Sequence, residues 1–235
     1  MIDVAFDFTT DTPKGKDPDT YSPTLCTYHQ ALWSKDLPND EHMTLEATRA
    51  PFSLKWKDFN LSSDSIIVEM NYAKNKKVID QVNSILDDAD AYFEKLLHRA
   101  YTIGGMTVFP MHRISMNQMR GMNILISDRW DLTLECIRRH YTGETSPLTK
   151  VIESDRAFYD LFVDFKGYVD YFFFQDCVSK DYSRVNIWMG DATFAKSGLP
   201  TSVNEFFEFI RKEHEFHGKR SIKRCLPDTA LSRYN

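Results

Sequence analysis

Cysteine is scarce in this chain and never closely spaced. Cys26, Cys136, Cys177 and Cys225 are the only four in 235 residues, and no two stand at the C-x-x-C spacing of a zinc ribbon or a thioredoxin-like centre. No disulfide framework is expected, and a reducing cytoplasm is the simplest setting. Long apolar runs are missing too. The most apolar stretch lies around Tyr168–Phe174, far short of the roughly 20 residues that span a bilayer, so no membrane association is expected. The opening MIDVAFDFTTD has no basic start and no apolar core, which argues against a signal peptide. There is no excess of positive charge: 29 Lys and Arg face 34 Asp and Glu, a net charge of −5. Wholesale nucleic-acid binding rests on phosphate neutralisation, so a nucleic-acid partner is not expected.

The common catalytic signatures are absent as well. There is no G-x-x-x-x-G-K-[ST] and no G-x-G-x-x-G. Gly104-Gly105 precedes a strand-like stretch, the wrong setting for anion binding at a helix start. No G-x-S-x-G occurs, and Cys136, beside Glu135 in a helical stretch, reads as a small buried residue rather than a nucleophile. H-E-x-x-H is missing. His214-x-x-His217 puts two imidazoles on one helix face, a pair without an evident third ligand, and reads as solvent-facing; no metal is expected. Lys219-Arg220 and Lys223-Arg224 read as the solvated basic end of a helix. Composition and motifs name no cofactor.

What is present is a chain able to bury a large core. It is 42% hydrophobic and 27% charged, with 17 Phe, 11 Tyr and 4 Trp, so the core should be aromatic. The first third reads as strand-rich: Asp3–Phe8, Met43–Ala47, Phe52–Trp56 and Ser65–Asn71, with a loop over Thr10–Pro23, a short helix over Leu25–Trp33 and a turn at Asn60–Asp64. From Asn75 the period changes. Val78, Val82, Ile85, Leu86, Ala89, Phe93, Leu96 and Leu97 mark one amphipathic helix. Met106–Pro110 reads as a buried strand. Helices are expected from Ser115 (a capping box with Gln118), from Ser127 or Asp128 to Tyr141 with Gly143 as the stop, and from Ser146-Pro147. Two more fall within Leu148–Val178, split near Phe165–Gly167. Val185–Met189 reads as a strand, and Ser202-x-x-Glu205 opens a helix through His214. The expected fold class is α+β: an antiparallel sheet formed mainly by the N-terminal third, packed by a helical C-terminal half. Residues 1–225 should form a single domain, with 226–235 a loose tail.

Polar groups crowd one segment, Ser115 to Gly143. It holds Asn117, Gln118, Arg120, Asp128, Arg129, Asp131, Glu135, Arg138, Arg139 and His140. Trp130, Leu134, Ile137 and Tyr141 form an apolar stripe, with the charged residues on the other sides. Glu135 and Arg139 stand at a favourable i,i+4 spacing, so an internal ion-pair network accounts for much of the segment. Arg120, Arg129 and Arg138 also offer planar donors that suit phosphate or carboxylate. Asp128, Asp131 and Glu135 offer acid–base or hydroxyl contacts, while Asn117 and Gln118 can read an amide or a base edge. A second set, His29, Trp33 and Lys35, could stack on and hydrogen-bond a flat ligand, or simply plug the sheet. A third, around Asp170 and Asp176, lies among Phe162, Phe165, Tyr168 and Phe172–Phe174. These carboxylates need partners; Lys166 is one choice for Asp170, and Arg120 or Arg138 across the core is another.

The runs Tyr101-Thr102-Ile103-Gly104-Gly105, Asn117-Gln118-x-Arg120-Gly121, Asp128–Arg139, Tyr28-His29…Leu32–Lys35…Leu37-Pro38, Ser146-Pro147-Leu148 and Asp164–Asp170 carry a resemblance. They resemble uncharacterised bacterial proteins with a domain of unknown function (DUF6994). The resemblance covers most of the chain and implies a bacterial or phage-borne cytoplasmic protein, with no activity to carry over. Asn39-Asp40 departs from it, standing where Asn-Gly is expected.

Three functions compete. The first is binding of, or action on, a nucleotide-like phosphorylated small molecule. Arg120, Arg129 and Arg138 would hold the anion, Asp131, Glu135 and His29 would supply the chemistry, and Trp33, Lys35, Asn117, Gln118, Asp128 and Asp170 would line the pocket. The second is a non-enzymatic interaction protein of a bacterial defence or regulatory system, with the polar segment as scaffold and a protein partner at the surface. The third is an RNA-directed toxin-like protein, which the acidic balance opposes.

Overall fold

A computed structural model describes residues 2–67, 72–111, 116–121, 125–192, 194 and 199–225. Helices α1 (Pro18–Tyr21) and α2 (Pro23–Trp33) come first, then strands β1 (Glu46–Ala47), β2 (Leu54–Trp56) and β3 (Phe59–Ser65). Helices α3 (Tyr72–Ile85) and α4 (Ala89–Ala100) lead to β4 (Met106–Pro110). Then follow α5 (Met116–Gly121), α6 (Trp130–Thr142), α7 (Thr149–Ser154), α8 (Arg156–Tyr159), α9 (Phe165–Tyr171) and α10 (Val203–Cys225). The strands form one antiparallel sheet in the order β1-β2-β3-β4. This is the expected α+β arrangement, with the sheet drawn mainly from the front of the chain. No helix among the described residues is long and apolar enough to cross a membrane.

Several elements differ from expectation, each for a local reason. Asn60–Asp64 is the middle of β3, not a turn; the chain reverses instead at Lys57, whose φ of 51° sits between the paired Trp56 and Phe59. Leu61 and Ser63 then alternate into the core. Ser65 therefore ends a strand rather than opening one, and 68–71 lie outside the described residues. Asp3–Phe8 folds as turns, with the Phe6 N–H on the Asp3 carbonyl (3.3 Å) and fully buried Phe8 as the anchor. The long amphipathic pattern is cut in two because the Asp88 carboxylate caps the next helix, accepting the Ala91 N–H at 3.1 Å. Val185–Met189 contributes one bridge, Val178 to Val185, and no strand.

Other boundaries follow their expected signals in part. Gly143 closes α6 in the left-handed conformation (φ 74°). The helical region after Leu148 differs from expectation: it breaks at Val163 (φ 68°) and Asp164 caps α9, so Phe165–Gly167, the expected split, opens that helix, and the stretch before it is two short helices, α7 and α8. Helix α7 begins only at Thr149, with no side-chain cap; Ser146 is not its N-cap, and its N–H donates instead to the Thr149 hydroxyl (2.7 Å). The Asn39-Asp40 turn has Asp40 itself at φ 65°, a conformation Asp tolerates better than most residues. Ser202 caps α10, but the Glu205 carboxylate turns to the N–H and hydroxyl of Thr201 (2.8 and 2.7 Å). Helix α10 runs well past His214.

One continuous core extends from Phe8 to Phe216. Its centre is aromatic: the Trp33 ring lies 5.0 Å from Phe172, Tyr168 lies 4.9 Å from Phe172, and Trp130 lies 4.4 Å from Phe174. Cys26, Cys136 and Cys177 are buried free thiols.

Candidate functional site

The polar segment resolves into three separate groups. In the first, Arg120 of α5 is buried at 1% exposure between Asp64 of β3 and Asp128 of the loop before α6. Its Nη1 pairs with Asp64 and donates to the Ser65 carbonyl (3.3 Å). Its Nη2 donates to Asp128 (2.8 Å), and its Nε donates to the Thr133 hydroxyl (3.2 Å). The two carboxylates keep 16% and 23% of their surface open, so they reach solvent while the guanidinium does not. Burial pushes Asp64 up to about 7 against the pull of Arg120, with the Asp128 and Asp17 carboxylates adding to the rise. Arg120 itself is held charged: burial opposes this, and Asp128 and Asp64 outweigh it.

The second group is sealed. Arg129 and Asp131 are 2% and 0% exposed. Arg129 donates from Nε to Asp131 Oδ1 (3.0 Å) and from Nη2 to Asp131 Oδ2 and the Met189 carbonyl (3.0 Å). Asp131 Oδ2 also accepts the Trp188 N–H at 2.8 Å. The pair ties the start of α6 to the 188–189 stretch. The third group lies further along α6. The Glu135 carboxylate accepts from Arg138 (2.8 and 2.9 Å) and Arg139 (2.9 Å), and Arg138 reaches Glu144 at 3.0 Å. Burial disfavours the Glu135 charge, but hydrogen bonds from both arginines outweigh it and hold the carboxyl below its usual range. Asn117 and Gln118 belong to α5, and their side chains lie outside what is described, as does Ser115.

His29, Trp33 and Lys35 form a different cluster. His29 is fully buried; its Nδ1 accepts from the Trp33 indole (3.0 Å), which leaves Nε2 to donate to the Ser63 hydroxyl (2.9 Å). Burial and the nearby Arg224 and Arg220 hold His29 neutral, well below the ordinary imidazole range. The Lys35 ammonium donates to the Tyr171 carbonyl (2.8 Å) and lies 4.2 Å from the Phe173 ring centre. Ser63 and Asp64 are consecutive on β3, so their side chains leave on opposite faces. His29 and Arg120 therefore approach the strand from opposite sides and do not share one cleft.

Asp170 does not cross the core to Arg120 or Arg138. It pairs with Lys166 and accepts from Tyr182 (2.8 Å) and Gln175 (3.1 Å), while Asp176 takes Lys223 (2.7 Å). The local partner wins because Asp170 sits one helical turn from Lys166. The histidine pair on α10 also differs from expectation. His217 is partly buried and meets the Thr102 hydroxyl at 2.7 Å. Burial, with nearby Arg99, lowers His217 to about 3 and His214 to about 4. Among the described residues no group of three or more His, Cys, Asp or Glu is placed to hold a metal ion. A 570 Å³ surface hollow along α3, lined by Lys76, Lys77, Asp80, Gln81 and Ser84, contains none of the residues chosen from the sequence. A 230 Å³ cleft between Trp188 and α10 is lined by Asp176 and Lys219, but by none of the residues expected to hold the ligand.

Two features escaped the sequence. Asp64 was hidden by the turn reading of its strand. Arg220 and Arg224, expected in solvent, are 0% and 3% exposed. Their i,i+4 spacing on the face that carries Phe216 was the available sign.

The fold and the ion-pair groups define a mixed α+β protein whose polar segment is built largely into its own structure. Residues 2–224 match the family of unknown function DUF6994, and the chain belongs to it. No curated protein and no solved structure matches the chain.

Proposed function

We propose that this protein binds a small polar molecule at Asp64, Arg120 and Asp128 and exchanges a proton with it through Asp64. One observation carries the reading: a sealed guanidinium faces two carboxylates that reach solvent, and burial lifts one of them into the range where a carboxyl both gives and takes a proton at neutral pH. Arg120 holds both groups in place, pairing with Asp64 and with Asp128. The expected nucleotide-like phosphorylated ligand is narrowed by the local charge. Two carboxylates already answer one guanidinium, so an added phosphate meets net negative charge here. A hydroxyl, amine or amide of such a ligand fits better at this point than its phosphate. The rest of the segment favours the scaffold part of the interaction-protein reading, because Arg129–Asp131 and Glu135–Arg138–Arg139 are already satisfied. A cytoplasmic setting belongs to the same proposal, supported by the three buried free thiols.

The test is a thermal-shift screen of nucleosides, nucleotides, sugars and sugar phosphates on the wild type, D64N and D128N. The reading expects at least one compound to stabilise the wild type. The shift should change between pH 6 and 8 and disappear in D64N or D128N, whichever retains a cooperative melt. Compounds that all leave the wild type unchanged, or that stabilise both variants equally, overturn it.

A further inference from the structure

Arg220 and Arg224 project from one face of α10 into the core. Arg220 donates from Nε to the Phe172 carbonyl (3.3 Å) and from Nη1 to the carbonyls of Gly104 (2.9 Å) and Met106 (3.0 Å). Arg224 donates from Nη1 to the Ile103 carbonyl and from Nη2 to that of Met106 (2.9 Å). The Arg220 guanidinium lies 4.3 Å from the Phe174 ring centre, and that of Arg224 lies 4.9 Å from Trp33. Both therefore converge on the carbonyl of Met106, the β4 residue paired with Ser65.

Carbonyl dipoles and ring faces supply partial negative charge, but no carboxylate among the described residues pairs with either arginine. The other buried arginines among the described residues contrast with this: Arg120 has Asp64 and Asp128, and Arg129 has Asp131. Two nitrogens also stay unpartnered in the buried cluster, Arg220 Nη2 and Arg224 Nε. The titratable neighbours bring no anion. His29 and His217 are held neutral, and burial keeps the Cys177 thiol and the Tyr168 hydroxyl protonated. Burial disfavours the charge on both arginines, and they also repel each other. A guanidinium does not shed its proton under these conditions, so the positive charge stays and calls for a counter-ion.

We infer that Arg220 and Arg224 form a buried receptor for a small oxyanion, of the phosphate or carboxylate class, held by the unpartnered Arg220 Nη2 and Arg224 Nε. The planar guanidinium donors favour oxygen anions over halide. This site is independent of the Asp64 proposal. It gives an anionic ligand group a place that the carboxylate-rich edge does not.

The full chain is dialysed into phosphate-free sodium chloride buffer, unfolded, and its released anions are measured by ion chromatography. In parallel, melting of the folded chain is followed against sodium phosphate or sodium acetate, with ionic strength held constant by sodium chloride. Release of phosphate or a carboxylate in amounts matching the chain supports the site. So does a saturable rise in Tm with either anion that is lost in R220M or R224M and partly restored in R224K. Should the methionine variants fail to fold, the wild-type release and saturation data decide alone. Neither release nor a saturable rise in the wild type overturns the site, as does an equal rise in a folded R224M variant.

Discussion

Replacing Asp131 by Ala should cost a large share of the protein's stability. The carboxylate is fully buried, binds Arg129 through both oxygens and accepts the Trp188 N–H. Its removal leaves a buried guanidinium without its partner, a change that costs about 3–5 kcal/mol. The orphaned Trp188 N–H adds about 1 kcal/mol more. Against a usual domain stability of roughly 5–15 kcal/mol, that is a third or more of the total. Removing both charges is milder, because no lone ion remains. The Arg129→Met, Asp131→Ala pair should therefore cost clearly less than the sum of the single variants, with a coupling of about 2 kcal/mol or more. Urea unfolding of the four proteins, read by tryptophan fluorescence, gives the cycle. A loss below about 1 kcal/mol for D131A is the behaviour of an exposed pair; together with additive single costs, it would refute the view that this segment is structural at Arg129–Asp131.

Acid should weaken the fold through its histidines. His29, His214 and His217 have folded-state values below the ordinary imidazole value, so the unfolded chain binds more protons below pH 6.5 and stability rises with pH from about 4 to 6.5. Urea midpoints at pH 4.5, 5.5 and 6.5 should climb, and H217Q should flatten the climb; an unchanged slope in H217Q contradicts the assignment. Asp64 acts in the opposite direction. Its folded-state value lies above the unfolded one, so its contribution falls as pH rises from about 4 to 7, and D64N should gain on the wild type between pH 5 and 8. A methyl group at Gly167 would sit 2.1 Å from the Phe162 carbonyl oxygen, so G167A should lower Tm sharply, whereas G218A, with open space on α10, should raise stability by about 1 kcal/mol. Equal melting of the two variants would contradict the packing around α9.

The helical back of the fold was legible where pattern and punctuation agree. The Trp130, Leu134, Ile137, Tyr141 stripe and the stop at Gly143 fix α6. Buried Met106–Pro110 carried its own apolar signal. Strand β3 was not legible, because Ser63 points inward to satisfy His29 and so breaks the apolar alternation. The amphipathic run after Asn75 hid the Asp88 cap, since its apolar spacing continues across the break. Charge spacing along α6 gave the Glu135–Arg139 pair correctly. It could not give Arg120–Asp64, whose partners come from distant parts of the chain. Arg220 and Arg224 were misjudged for a related reason. Their partners are backbone carbonyls of the Ile103–Met106 stretch, and a carbonyl leaves no mark in a sequence.

The central claim is that burial lifts the Asp64 carboxyl far above its usual range even though the Arg120 guanidinium lies beside it. Carbon-13 NMR of the side-chain carboxyls, with D64N and D128N for assignment, tests it directly. The account predicts a carboxyl titrating near pH 7 that is lost in D64N and kept in D128N. An Asp64 carboxyl that finishes titrating below pH 5 would contradict it.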